Sequence, residues 1–132
     1  MNLHRSACRV LPLLMILAMA SAVRAEVVTI AWDAAGKFQH GQDIAPGKFA
    51  EVCGKLNRDQ AIRWSFQANA PLNFNIHYHE GPTVVIPVQR AASLGGTGIY
   101  HVTLAHDYCA MWETGPLGTA VSYRVRPIKG DR

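Results

Sequence analysis

Residues 64–80 read WSFQANAPLNFNIHYHE, and this stretch decides the fold. Apolar side chains occupy every second position on both sides of Asn69-Ala70-Pro71, with Trp64 and Phe66 before it and a second run from Leu72 after it. Because successive side chains of a strand point to opposite faces, each run predicts a half-buried β-strand. The Asn-Ala-Pro segment predicts a turn that joins the two strands into a hairpin.

The polar face of the second run carries four side chains spaced two residues apart: Asn73, Asn75, His77 and His79. Such a row either lines a solvated face of the strand or forms a surface that contacts another molecule. This row is the main functional clue in the sequence. It predicts a contact face for a protein or small-ligand partner.

The N-terminal segment, residues 1–25, predicts a helical, cleavable signal peptide. Two arginines precede an apolar run at 10–20 that is shorter than the roughly 20 residues needed to span a bilayer. Small residues follow, so we expect cleavage after Ala25, with Ala22 as the alternative. The mature chain would be a single domain, residues 26–132, exported to the periplasm or the extracellular space and without a membrane-spanning segment.

The mature domain is nearly neutral. The whole chain has 13 Lys and Arg against 9 Asp and Glu, but Arg5, Arg9 and Arg24 lie in the signal peptide and no acidic residue does, which leaves 10 against 9. Binding of nucleic acid or of an acidic membrane surface requires clustered positive charge. Neither is therefore expected as a partner.

Two cysteines, Cys53 and Cys109, remain once Cys8 has left with the signal peptide. In an oxidising compartment an even pair predicts a disulfide bond. In the chain-entropy model, closing a loop of this length stabilises the fold by about 4 kcal/mol. A chain of about 107 residues is the size of one domain with one core.

Other segments extend the β pattern along the chain. Residues 27–32, 83–89, 99–104 and 119–126 have strand composition, whereas the glycine-rich stretch 91–98 predicts a flexible connection. After the signal peptide no segment has the spacing of an amphipathic helix. The sequence therefore predicts an all-β protein, an antiparallel β-sandwich of seven or eight strands with one disulfide.

The order of features from Cys53 onward resembles the Golgi-dynamics (GOLD) domain, a β-sandwich of secretory cargo receptors. The resemblance covers about residues 50–126. It rests on an early Cys, an alternating strand, a Gly-Pro turn, a Tyr-Cys segment and a final alternating strand, here Cys53, Phe74 to Ile76, Glu80 to Pro82, Tyr108-Cys109 and Val121 to Val125. It implies a jelly-roll-like, non-catalytic interaction domain.

His77 and His79 also support an alternative function, the binding of copper or zinc. Their imidazoles leave the same face of the predicted strand with Cβ atoms about 6–7 Å apart, a spacing that one metal ion can bridge. A third ligand could come from His101, Glu80 or Met111, and a thioether would favour Cu(I). Because Met111 lies two residues from the second cysteine, the competing interpretation is a core methionine beside the disulfide.

Catalysis is not predicted. A hydrolase needs a nucleophile, a base and an orienting group within mutual reach. His106 and Asp107 are adjacent, but neighbouring residues of a strand point to opposite faces. The sequence therefore predicts a secreted binding module that is not an enzyme.

Overall fold

Seven β-strands make up the part of the chain that the structure, a computed structural model, describes: residues 26–29 and 38–130. They are β1 (Glu26–Thr29), β2 (Phe38–Ile44), β3 (Phe49–Leu56), β4 (Gln60–Glu80), β5 (Thr83–His101), β6 (His106–Thr114) and β7 (Thr119–Lys129). No helix capable of crossing a membrane occurs among these residues. The predicted signal peptide, residues 1–25, lies outside them.

All seven strands belong to one sheet. Its order is β1-β3-β6-β4-β7-β2, and β5 pairs with β4 along the edge that β6 and β7 do not use. β1 runs parallel to β3, and the other six strands pair in antiparallel fashion. The all-β class is confirmed. Instead of the predicted sandwich of two sheets, however, one sheet curls into a half-barrel.

β4 is the strand about which the sheet curls. As far as Ala68 it pairs with β7, and from Leu72 it pairs with β6. The predicted hairpin turn at residues 69–71 is therefore wrong, because the chain continues through it as one bent strand of 21 residues. Pro71 has no N–H for the ladder, so it interrupts the pairing without reversing the chain. The reversal comes at Gly81, whose φ of 58° suits the turn into β5.

The predicted flexible connection at residues 91–98 is also wrong, because these residues form the middle of β5. Gly98 lies opposite Trp64, and a Cβ atom on Gly98 would come within 2.6 Å of the indole ring. A Cβ atom on Gly95 would come within 2.8 Å of the carbonyl oxygen of Phe66. The glycines therefore allow β5 to pass close to the aromatic residues of β4, a role that glycine often has within strands.

Seven aromatic side chains lie in the core on the inner face of the sheet: Trp64, Phe66, Phe74, Tyr78, Tyr108, Trp112 and Tyr123. Phe66 and Phe74 come from the two halves of β4, and their ring centroids are 5.0 Å apart. Trp112 of β6 stacks on Tyr123 of β7 with centroids 4.1 Å apart. These contacts join the two halves of the curled sheet through buried aromatic rings.

Candidate functional site

The outer face of β4, opposite the aromatic core, carries two rows of polar side chains. The first row, which we call the arginine half, consists of Arg63, Ser65 and Gln67. The second row, which we call the histidine half, consists of Asn73, Asn75, His77 and His79. Each row alternates with buried apolar residues, as the period of two predicts.

The histidine half lies beside the disulfide. Cys53 of β3 pairs with Cys109 of β6, and Cys109 in turn pairs with His77 of β4. The two sulfur atoms are bonded and the Cα atoms are 4.1 Å apart, so the predicted disulfide is confirmed. Met111 pairs with Asn75. Because paired residues of neighbouring strands project from the same face, the disulfide, Met111 and the histidine half share one surface.

The centre of the histidine half is buried, while its two ends are exposed. Asn75 is 9% exposed and His77 is 6% exposed. His77 Nδ1 lies 2.8 Å from Asn75 Oδ1, and His77 Nε2 lies 3.4 Å from a carboxylate oxygen of Glu51. The rings of His77 and His79 lie 5.4 Å apart on the same face, as predicted for residues two apart on a strand. Part of the predicted contact face is thus an internal hydrogen-bonded group.

Burial lowers the pKa of His77. The Glu51 carboxylate raises this pKa and His79 lowers it, but both effects are smaller than that of burial. The His77 imidazole is therefore neutral at neutral pH, so its 3.4 Å contact with Glu51 is not an ion pair there. A neutral ring has one N–H. Because Asn75 Oδ1 at 2.8 Å can only accept, this N–H lies on Nδ1 and donates to Asn75.

Asn73, at one end of the row, supports the bend in β5. Its side-chain oxygen accepts a hydrogen bond from the backbone N–H of Ala92 at 3.1 Å. Ala92 has a φ of 46°, in the left-handed region that residues with a Cβ atom rarely adopt. The contact holds Ala92 in this conformation, which gives Asn73 a structural role.

The predicted metal ligands are not brought together as a set. His101 lies at the end of β5 and pairs with Ala61, near the beginning of β4. His77 and His79 lie near the other end of β4. Met111 is half-buried on the surface of the histidine half, and Glu80 is exposed where β4 ends. His101 therefore cannot complete a site with the two other histidines.

One group of three potential ligands does occur among the His, Cys, Asp and Glu residues that the structure describes. It consists of Glu51, Cys53 and Cys109, whose ligand atoms lie within 4.8 Å of one another. The two sulfurs are joined to each other, so the group offers no thiolate to a metal. The predicted copper or zinc site therefore has no support in the structure.

The arginine half is open, in contrast to the histidine half. Arg63 faces Arg126 of β7, and Ser65 faces Arg124. All three arginines are exposed, and within the described residues no ion pair links any of them to a carboxylate. Arg124 donates two hydrogen bonds to the side-chain oxygen of Gln39 on β2, at 3.1 and 2.9 Å.

A groove of about 650 Å³ crosses this face between β2, β4, β5 and β7. An adjoining recess of about 220 Å³ shares Ser65, Thr97 and Arg124 with the groove and adds Arg63 and Arg126 to its lining. This site is not predicted from the sequence, because its residues come from strands far apart in the chain. The sequence feature that indicates this site is the pair of arginines, Arg124 and Arg126, at two successive polar positions of β7.

No protein-family model matches the sequence, and no curated protein matches it either. Solved structures do match it. The fold is similar to that of PliG. The crystal structure of Aeromonas hydrophila PliG, a periplasmic lysozyme inhibitor of g-type lysozyme, matches with a TM-score of 0.65 and 10% identity over 80% of this chain and 98% of PliG. Salmonella Typhimurium PliG matches with a TM-score of 0.62 and 12% identity over 80% of this chain and 100% of that one.

The predicted resemblance to the GOLD domain is therefore wrong, because the chain has the PliG fold. The resemblance depended on the order of local features along the chain, namely short alternating strands and one cysteine pair. These features recur in unrelated β proteins because they reflect local burial and an oxidising compartment, and they do not specify which strands become neighbours.

Proposed function

We propose that this chain is an exported, non-catalytic protein that binds and inhibits a lysozyme, with g-type lysozyme as the first candidate. The observation that carries the proposal is the match to PliG over nearly the whole of both inhibitor chains, with TM-scores of 0.65 and 0.62. Both PliG proteins are periplasmic inhibitors of g-type lysozyme. A shared fold does not by itself imply a shared function, so the proposal also draws on compartment and rigidity.

The expected compartment agrees with this function. The sequence predicts a signal peptide, and the disulfide between Cys53 and Cys109 is of the kind that persists in the periplasm. An exported inhibitor would meet lysozyme where that enzyme reaches the cell wall. We therefore propose a periplasmic location for the mature chain.

The rigidity of the sheet suits an inhibitor. A binding surface that is ordered before contact loses less conformational entropy on binding. The disulfide links β3 to β6, and the stacked rings of Trp112 and Tyr123 join β6 to β7, so the two strands that share one edge of β4 are held together. The outer face of β4 is thus presented on a fixed scaffold.

An inhibition assay tests the proposed function. The full chain, expressed with its own signal peptide and purified from the periplasm, is mixed with g-type lysozyme, and the lysis of a bacterial cell-wall suspension is followed. We expect activity to fall in proportion to the inhibitor until a 1:1 ratio is reached, with c-type lysozyme as the control for selectivity. Full activity of both lysozymes at a hundredfold excess of the protein would contradict the proposal.

The contact face around His77 remains a prediction. Because Asn75 and His77 are buried, only the exposed side chains at the ends of the histidine half can reach a partner, and Asn73 already supports β5. A His79→Ala variant isolates the contribution of this row. A tenfold loss of inhibition would support a contact there, and unchanged inhibition would exclude it.

A further inference from the structure

Arg63 and Arg126 lie directly opposite each other on neighbouring antiparallel strands. Residues so placed have Cβ atoms about 4.5–5.5 Å apart, and like charges at this separation destabilise the pair of strands. Arg124 lies two residues from Arg126 on the same face. No carboxylate of the described residues is paired with any of the three, so folding gains no ion pair from this grouping.

The positive charge at this place is local and is not a property of the whole domain. Residues 26–132 have 10 basic and 9 acidic side chains, yet three of their six arginines are gathered here. On β2, Gln39 pairs with Arg124, and Asp43 lies four residues further along the same strand, about 13 Å away. The arginines are therefore separated from the acidic residue of β2 that shares their face.

The surroundings of the arginines suit an extended chain better than a flat charged surface. The groove beside them is lined by uncharged hydrogen-bonding side chains such as Gln67, Thr97 and Ser122. Leu94 and Ile99, on the adjacent strand β5, are 57% and 47% exposed and offer apolar contacts. One arginine in the groove and two more in the adjoining recess match a few carboxylates, whereas nucleic acids and anionic membranes require a broader basic surface.

We propose that the arginine half, together with Arg124, Arg126 and the groove, is the docking site for a carboxylate-rich segment of a partner protein. The planar guanidinium group binds a carboxylate through two parallel hydrogen bonds, which makes arginine more suitable than lysine for this task. A bound carboxylate between Arg63 and Arg126 also removes the repulsion between them. That the partner is a protein rests on the proposed function. The preference of the site for carboxylates can be tested separately.

Binding of a simple acidic peptide tests the site. The probe is a fluorescein-labelled peptide of alternating glutamate and serine, its control is the matching glutamine and serine peptide, and fluorescence anisotropy is measured at low and high salt. We expect the wild-type chain to bind the acidic peptide only, and high salt to weaken the binding. The Arg63→Glu/Arg126→Glu variant should bind at least tenfold more weakly.

A charge-matched variant makes the result specific to this place. Lys55→Glu/Arg90→Glu changes the net charge by the same amount at exposed positions outside the groove, so we expect its affinity to stay within twofold of wild type. Arg63→Lys/Arg126→Lys keeps the charge and should bind with intermediate affinity. An equal loss in both charge-reversal variants would overturn the proposal. So would tighter binding of dextran sulfate or anionic vesicles than of the peptide through the same arginines.

The lysozyme assay separates this inference from the proposed function. If Arg63→Glu/Arg126→Glu inhibits g-type lysozyme as strongly as wild type, the site is wrong and the proposed function stands. If the acidic peptide binds through these arginines but no lysozyme is inhibited, the site stands and the proposed function is wrong. Urea unfolding of each variant confirms that a lost interaction is not a loss of fold.

Discussion

The arginine half and the histidine half of β4 have the same sequence pattern but opposite environments. In both, polar side chains alternate with buried apolar residues along one strand. The histidine half lies next to β6, with the disulfide and Met111, and its central residues are buried. The arginine half lies next to β7, with Arg124 and Arg126, and opens into a groove. The neighbouring strand therefore decides whether a polar row is packed or available for binding.

This difference assigns separate tasks to the two halves. A buried polar group must keep its hydrogen-bond partners, so substitutions in the histidine half should change stability. Exposed charges contribute little to stability, so substitutions in the arginine half should change binding instead. Each prediction below tests one side of this contrast.

The largest effect is expected when the disulfide beside the histidine half is removed. The Cys53→Ser/Cys109→Ser variant should lose about 4 kcal/mol of unfolding free energy, because the unfolded chain gains the entropy of an open loop. Urea unfolding of the oxidised wild type and the variant measures the difference, with reduced wild type as the control. A loss below about 1 kcal/mol would show that the disulfide does not hold this half together.

A smaller loss of stability is expected on the inner face of β4, behind the arginine half. The Gly98→Ala variant should lose about 1–3 kcal/mol, because its Cβ atom would overlap the Trp64 ring. Gly115→Ala is the matched control, since a Cβ atom there meets nothing within 4 Å. If both variants have the same urea midpoint, the close packing of β5 on Trp64 is not as described.

The third prediction concerns the pH dependence of the histidine half. Because the pKa of His77 is lower in the folded chain than the ordinary 6.5, the unfolded chain binds more protons between these two values. The urea midpoint of the wild type should therefore fall as the pH drops below 6.5. The His77→Gln variant should lose about 1 kcal/mol at pH 7 and show a smaller fall.

His79→Gln is the control for this pH dependence. His79 is exposed on the same face, so its replacement should leave most of the wild-type fall in place. Glu51 also faces His77, and Glu51→Gln shows how much of the dependence comes from that carboxylate. If the urea midpoint of His77→Gln falls with pH as much as that of the wild type, a group other than His77 causes the pH dependence.

The smallest effect is expected for Arg63→Gln. Removal of one of two facing positive charges should leave the unfolding free energy the same or raise it by up to about 0.5 kcal/mol. The same substitution should weaken binding of the acidic peptide. A loss of more than about 1 kcal/mol in the urea titration would show that Arg63 has a structural role, which would contradict the assignment of this half to binding.

Local patterns predicted several features correctly. The period of two placed the residues of β4 on the right faces, and the even pair of cysteines predicted the bond between Cys53 and Cys109. The turn at residues 69–71 and the flexible connection at 91–98 were wrong. Proline and glycine there were interpreted as breakers, whereas Pro71 lies in a bend within β4 and Gly98 provides room for Trp64.

The polarity of each position in β4 followed from the amino-acid sequence alone, because the alternation of side chains along a strand is a local property of the backbone. The burial of His77, the exposure of Arg63 and the separation of His101 from the other histidines depended on the curled sheet. Strand order brings together residues that are distant in the chain, such as Arg63 and Arg126. No local pattern encodes that order, so the tertiary structure decided which polar row is open to a partner.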